Sequence, residues 1–269
     1  MTVGTSDDAD AIQADLLDAS DIAAAVRDTS PAHVVHLAAI SFPGHAQVNE
    51  IYRINLEGSL NLLSALAAAG CGRAGVLLAS TGTIYGNTES DALDETAALA
   101  PSTHYAVSKL AMEYMAGMFG STMPVTIVRP FNYTGPGQRE PFLVPKIVRH
   151  FAERADVVEL GNIEVVRDFL DVRVVVDVYR RLLDTKGRGN DVYNLCSGRG
   201  VAVVDIVRTL ETITGQTMTI EVNPDFVRSG EPRRIVGSPA RLRAAIGDFP
   251  LIPLATTLTD MLNERGGLS

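Results

Sequence analysis

The sequence is poor in cysteine. Its two cysteines, Cys71 and Cys196, cannot form a metal cluster unaided and supply no disulfide framework, so a reduced, cytoplasmic setting is expected. Long apolar runs are also missing. Nothing approaches the ~20 residues of a membrane span, and the opening MTVGTSDDADAIQADLLD lacks the basic and apolar segments of a signal peptide. We therefore expect no membrane partner. Positive charge is in deficit: a formal net charge of -9 argues against the basic face that nucleic acid requires. Anionic small ligands stay open, because they need only a few well-placed cations. Lysine is scarce, at Lys109, Lys146 and Lys186 only. The remaining basic residues are arginines, which grip phosphate with two donors at once.

At 269 residues and 46% hydrophobic content, the chain is long enough for a main domain with a smaller lobe. Its first two-thirds alternates short apolar runs with helical patterns. Ala32–Ala39 (AHVVHLAA) reads as a strand buried on both faces, Asn55–Ala69 as a helix ended by Gly70, and Gly75–Ser80 as the next strand. Ser102–Phe119 is a second helix and Val125–Arg129 another strand. This order predicts an α/β fold, a doubly wound parallel sheet of Rossmann-like type. After Pro130 a Gly- and Pro-rich loop leads to helix Phe142–Arg154 and short strands at Val157–Leu160 and Glu164–Leu170. Helix Val174–Leu183 and strand Val192–Cys196 look like a return to the main sheet. Helix Val203–Thr214, strand Met218–Val222, and helices Pro239–Ile246 and Ala255–Glu264 complete a smaller α+β substrate lobe. The expected division is a dinucleotide domain of residues 1–132 and 163–196, and a lobe of 133–162 and 197–269.

Tyr105-Ala-Val-Ser-Lys109 places a phenol and an ammonium one helical turn apart. A free tyrosine has a pKa near ~10, too high for ready proton exchange at neutral pH. A neighbouring cation lowers it and makes the couple a usable acid or base for a carbonyl or hydroxyl. Ser80-Thr81-Gly82-Thr83-Ile84-Tyr85-Gly86 follows a strand, where its hydroxyls could orient a substrate oxygen; a Ser/Thr-rich turn is the plain alternative.

HLAA at 36–39, STGTIYG at 80–86, YAVSK at 105–109 and RPFNYTGPGQ at 129–138 stand in the order of the extended short-chain dehydrogenases, the NAD-dependent epimerase/dehydratase family. The chain resembles that family over nearly its whole length. Through PFLVPKIV, ELGNIEVVRDFLDVR and GNDVYNLCSGRG it resembles the GDP-4-keto-6-deoxy-mannose reductases in particular. The resemblance implies that Thr81 positions the sugar carbonyl, Tyr105 protonates its oxygen, and Lys109 lowers the tyrosine pKa and holds the nicotinamide ribose. It implies that Leu37, Ala38 and Ala39 line the cofactor, that Asp15 with Leu16 reaches the adenine, and that Asn55 belongs to the cofactor site. Asn132 and Arg228, with Arg233 or Arg234, would hold the nucleotide diphosphate. Where sister 4,6-dehydratases carry an acidic residue after the threonine, this chain has Gly82 and Thr83, neither able to move a proton at neutral pH. Dehydration is disfavoured; reduction or 4-epimerisation stays open.

The family opens with a glycine-rich turn that binds the cofactor pyrophosphate. None is found here in that context. The G-x-G-x-x-G at Gly70, Gly72 and Gly75 follows a helix and precedes a strand, the reverse of the required order. We expect that this segment has been lost from a normal enzyme. The resulting expectation is NADP- or NAD-dependent reduction of the C4 keto group of a GDP-linked 4-keto-6-deoxy hexose by a homodimer. The alternatives are a nucleotide-sugar 4-epimerase and a non-catalytic nucleotide-sugar-binding remnant.

Overall fold

The computed structural model describes residues 11–41, 47–71, 75–88, 90, 92–140, 142–185, 191–227 and 230–266. These divide into two compact units, the described residues of 11–84, 99–129 and 179–193, and those of 85–98, 130–178 and 194–266.

In the first unit, α1 (Ala19–Thr29) starts at Asp18, whose carboxylate accepts from the backbone N–H of Ser20 and Asp21. β1 (His33–His36) is followed by α2 (Val48–Tyr52), a π-helical turn (Arg53–Glu57) and α3 (Gly58–Ala68). The sequence reading placed one helix over Asn55–Ala69; the helix in fact begins at Val48, and the π turn breaks the 3.6-residue period between its halves. Gly70, at φ 69°, ends it. β2 (Gly75–Ala79), α4 (His104–Gly117) and β3 (Val125–Pro130) follow. β1, β2 and β3 pair in parallel, with His36 opposite Leu78 and Ala79 opposite Val128. Gly70 and Gly75 thus close a helix and open a strand, as read above, while Gly72 lies outside the described residues.

The core of this unit joins Ile22 and Val26 of α1, Leu62, Leu63 and Leu66 of α3, Val76 and Leu78 of β2, and Met112 of α4. Each such side chain contributes about 1.5–3 kcal/mol by leaving water. At Gly58 the helix backbone packs so closely on Leu16 that a Cβ would stand 2.5 Å from Leu16 Cδ2 and the leucine would have to shift. One expectation fails. β1 is not buried on both faces: His33 and Val35 are exposed, and among the described residues the strand pairs with β2 alone.

The second unit carries β4 (Asn132–Thr134), α5 (Leu143–Ala152), β5 (Val157–Leu160), β6 (Val166–Asp171) and most of α6 (Val172–Asp184). β7 (Val192–Leu195) is the fourth strand of the main sheet, in the order β1-β2-β3-β7, which is the return the sequence suggested. β8 (Gly200–Ala202), α7 (Val203–Thr214), β9 (Thr219–Val222), β10 (Arg234–Ile235), α8 (Ala240–Ile246) and α9 (Leu254–Glu264) complete it. β6 pairs with β4 and β10 in parallel and with β8 antiparallel. Val144, Ile147, Val148 and Phe151 fall at helical spacing on one face of α5 and meet α7 and α9 in a second core.

Among the described residues no helix is long and apolar enough to cross a membrane. Both cysteines are free thiols, and no group of metal-ligating side chains is assembled among the described residues.

Candidate functional site

Thr103 caps α4: its hydroxyl accepts from the Ala106 N–H at 3.1 Å. Tyr105 therefore stands in the first helical turn, where the positive end of the helix dipole favours a phenolate. Lys109 follows one turn later on the same face. Its side chain is almost fully buried, and its ammonium donates to Met112 Sδ at 3.7 Å, a weak acceptor. Burial lowers the Lys109 pKa to about 8, against the opposing pull of Glu113. Glu113, a further turn along, is held in a bidentate ion pair with Arg129 of β3, at 2.7 Å between Oε2 and Nη2. That buried pair fixes α4 against the sheet.

Polar struts tie the helix to the strand ends. Asn55, fully buried in the π turn, accepts from Ile40 N–H at 2.8 Å and donates to Ile40 O at 3.1 Å and Ser108 Oγ at 3.0 Å. Ser108 Oγ in turn donates to Tyr105 O at 2.8 Å. One asparagine thus locks the segment after β1 to the helix bearing Tyr105 and Lys109. His36, the last residue of β1, lies 2.8 Å from Ser59 Oγ, whose proton goes to Asn55 O at 2.7 Å. The serine oxygen then accepts from His36 Nε2–H, so Nε2 is the ring nitrogen that carries a proton. Burial, and secondly the charge of Lys109, lowers the His36 pKa to about 4. The sequence reading missed His36, Ser59, Ser108, Glu113 and Arg129 as parts of this frame. One signal of it is readable along the chain, the i+4 spacing of Glu113 from Lys109.

Thr81 is buried just beyond β2, at the same end of the parallel sheet as His36. Its Oγ1 accepts from Thr83 N–H at 3.2 Å and lies 3.0 Å from Thr83 Oγ1. Beside it, Ser80 Oγ is buried with no hydrogen-bond partner among the described residues. A buried ammonium on a sulfur and an orphaned buried hydroxyl at one strand end fit a hydroxyl-rich ligand such as the ribose of a nicotinamide cofactor. After β1, Leu37 is exposed and Ala38 and Ala39 are half-buried.

Asp15 and Leu16, also expected at the cofactor, precede α1. The Asp15 carboxylate accepts from Leu17 N–H at 2.9 Å in a turn, and Leu16 is packed in the core. In the second unit, Asn132 is half-buried on β4, opposite Phe169. Arg233 is exposed; its carbonyl accepts from Val166 N–H at 2.7 Å, and Arg234 begins β10. Arg228 lies outside the described residues. Arg167, overlooked in the sequence, is buried in this unit and bonds Glu231 Oε1 at 2.9 Å and Pro232 O at 2.9 Å. Asp168 next to it accepts from Ser197 and Gly198 N–H at 2.7 and 2.9 Å, pinning that loop; burial raises its pKa despite these bonds.

Residues 2–196 match the model of the NAD dependent epimerase/dehydratase family. The chain is 34% identical to the GDP-6-deoxy-D-talose 4-dehydrogenase of Aggregatibacter actinomycetemcomitans, over 93% of this chain and 85% of that protein. It is 37% identical to the GDP-6-deoxy-D-mannose reductase of Pseudomonas aeruginosa, over 87% of this chain and 80% of the other. The fold superposes on a putative epimerase from Burkholderia cenocepacia J2315 with a TM-score of 0.90 and 40% identity, covering 99% of this chain and 88% of that one. The NADPH complex of RMD from Pseudomonas aeruginosa gives 0.87 and 35%, over 94% and 87%.

Proposed function

Because the chain belongs to the NAD dependent epimerase/dehydratase family, we propose that it reduces the C4 keto group of a GDP-linked 4-keto-6-deoxy hexose. The observation that carries this reading is the buried Lys109 one helical turn after Tyr105 on α4, combined with Gly82 and Thr83 where a dehydratase would carry its acid. The two GDP-sugar relatives named above support the substrate class.

When bound, NAD(P)H supplies the hydride for C4. Thr81 donates a hydrogen bond to the carbonyl oxygen and holds it toward Tyr105. As negative charge develops on that oxygen, Tyr105 delivers its phenolic proton. The phenolate left behind is stabilised by the Lys109 ammonium and the helix N-terminus. Lys109 also offers N–H groups to the ribose hydroxyls, for which Met112 Sδ is a poor substitute. By the resemblance of their motifs, Asn132, Arg233 and Arg234 would hold the nucleotide diphosphate.

The test is product analysis with GDP-4-keto-6-deoxy-mannose and either NADPH or NADH. A reductase oxidises one cofactor per sugar and leaves a hydroxyl at C4. Interconversion of C4 epimers without net cofactor consumption would instead make the chain a 4-epimerase, the second reading favoured by the epimerases among its relatives. No turnover and no nucleotide-cofactor binding would leave a nucleotide-sugar-binding protein.

We further propose a cytoplasmic homodimer. Val107, Tyr114 and Met118 project from one face of α4 and its end, 38%, 66% and 79% exposed, and Leu60 of α3 is 41% exposed. An apolar stripe of this kind on a helix face is suited to a second copy of itself.

A further inference from the structure

A hydroxyl that positions a carbonyl must donate to it, yet a threonine O–H turns freely unless something else fixes it. Thr81 Oγ1 has two lone pairs and one proton. One lone pair is taken by the Thr83 N–H at 3.2 Å, and the Thr83 hydroxyl oxygen lies within hydrogen-bond distance at 3.0 Å. Those are the hydrogen bonds of either hydroxyl among the described residues. If Thr83 Oγ1 donates, both lone pairs of Thr81 are occupied and its proton has to point elsewhere.

We propose that Thr83 is a positioning residue for the reduction: its hydroxyl donates to Thr81 Oγ1 and so commits the Thr81 proton to the substrate carbonyl. This inference rests on the reductase reading. It gives a purpose to the side chain that stands, with Gly82, where the dehydratases carry their acid. Here that position supplies a fixed dipole in place of a proton. The 3₁₀ turn at Gly82–Tyr85 brings residue 83 back toward residue 81, and Thr83 itself is only half-buried. Pre-orientation acts on the transition state, where the oxygen gains charge, more than on ground-state binding.

The test is a double-mutant cycle on the full chain, with Thr83→Val, Thr81→Val and the double variant, and with Thr83→Ser as the conservative replacement. Thr83→Val should lower kcat about tenfold. KM, GDP affinity, the shape of the pH profile and the thermal midpoint should all stay at wild-type values. Thr83→Ser should restore kcat, and in the Thr81→Val background the second substitution should cost nothing more. An unchanged kcat in Thr83→Val, losses that multiply in the double variant, or a kcat loss tracking a lowered thermal midpoint would overturn the proposal. Failure of the wild-type chain to reduce the keto sugar would overturn the reductase reading instead, and with it this inference.

Discussion

Asn55 and Ser108 stand 53 residues apart in sequence and 3.0 Å apart between Nδ2 and Oγ. Asn55 spends its remaining capacity on both backbone groups of Ile40, so a single amide joins the segment after β1 to the helix of the proton-handling pair. Removing one partner of a buried hydrogen bond leaves the other unsatisfied, at about 1–3 kcal/mol. Ser108→Ala removes the acceptor of the Asn55 amide and the donor to Tyr105 O and should cost about 1–2 kcal/mol in urea unfolding, whereas Asn55→Leu strands both backbone groups of Ile40 and the Ser108 hydroxyl and should cost about 3 kcal/mol. Equal, negligible losses would show that the two elements are held by packing alone.

Lys109 sets an alkaline limit. Its ammonium, with a pKa lowered to about 8, loses its charge as the pH rises through that value, and the Tyr105 phenol loses its neighbouring cation. The pH profile of kcat/KM, which reports the free enzyme, should therefore fall above about pH 8. Lys109→Met should lower kcat/KM by about 100-fold and remove that limb. A profile flat to pH 10 in the wild type would contradict the assignment.

His36 sets an acid limit on stability. Its pKa is lowered from 6.5 to about 4 in the folded chain, so between those values the unfolded chain binds the extra proton and the folded chain does not. The stabilisation is complete above pH 6.5 and is lost as the pH falls toward 4, by about 3 kcal/mol in total. Denaturant unfolding of wild type and His36→Gln across this range should show a difference that narrows as the pH falls. A parallel pair of curves would exclude His36 as the titrating group.

Tyr114 is the largest exposed apolar side chain on α4. Tyr114→Glu places charge in the proposed self-association face and should convert a dimer to a monomer in analytical ultracentrifugation, with the thermal midpoint of the monomer otherwise intact. A wild-type monomer would dispose of that surface as an interface.

Much of this architecture was legible in the sequence, because the long elements carry their own period. Helix Val203–Thr214 and strand Val157–Leu160 fall where the apolar pattern puts them. β8 and β10, three and two residues long, exist only through pairing with β6, and no alternation can announce so short a strand. The π turn was invisible for a related reason: a wider turn shifts the helical phase, so the pattern starting at Asn55 could not be traced back to Val48. Tyr105 and Lys109 were readable because they act at i and i+4 on one helix. The supports of the site were not, since His36–Ser59 and Asn55–Ser108 span 23 and 53 residues and are made by the fold.

Proton delivery by Tyr105 is tested most directly by Tyr105→Phe in a single-turnover reduction of GDP-4-keto-6-deoxy-mannose, read alongside calorimetric binding of GDP. The ring fills the same space, so GDP affinity should match the wild type, while the rate falls by about 1,000-fold with the loss of the general acid. A rate within tenfold of wild type, at unchanged affinity, would contradict the role assigned to Tyr105.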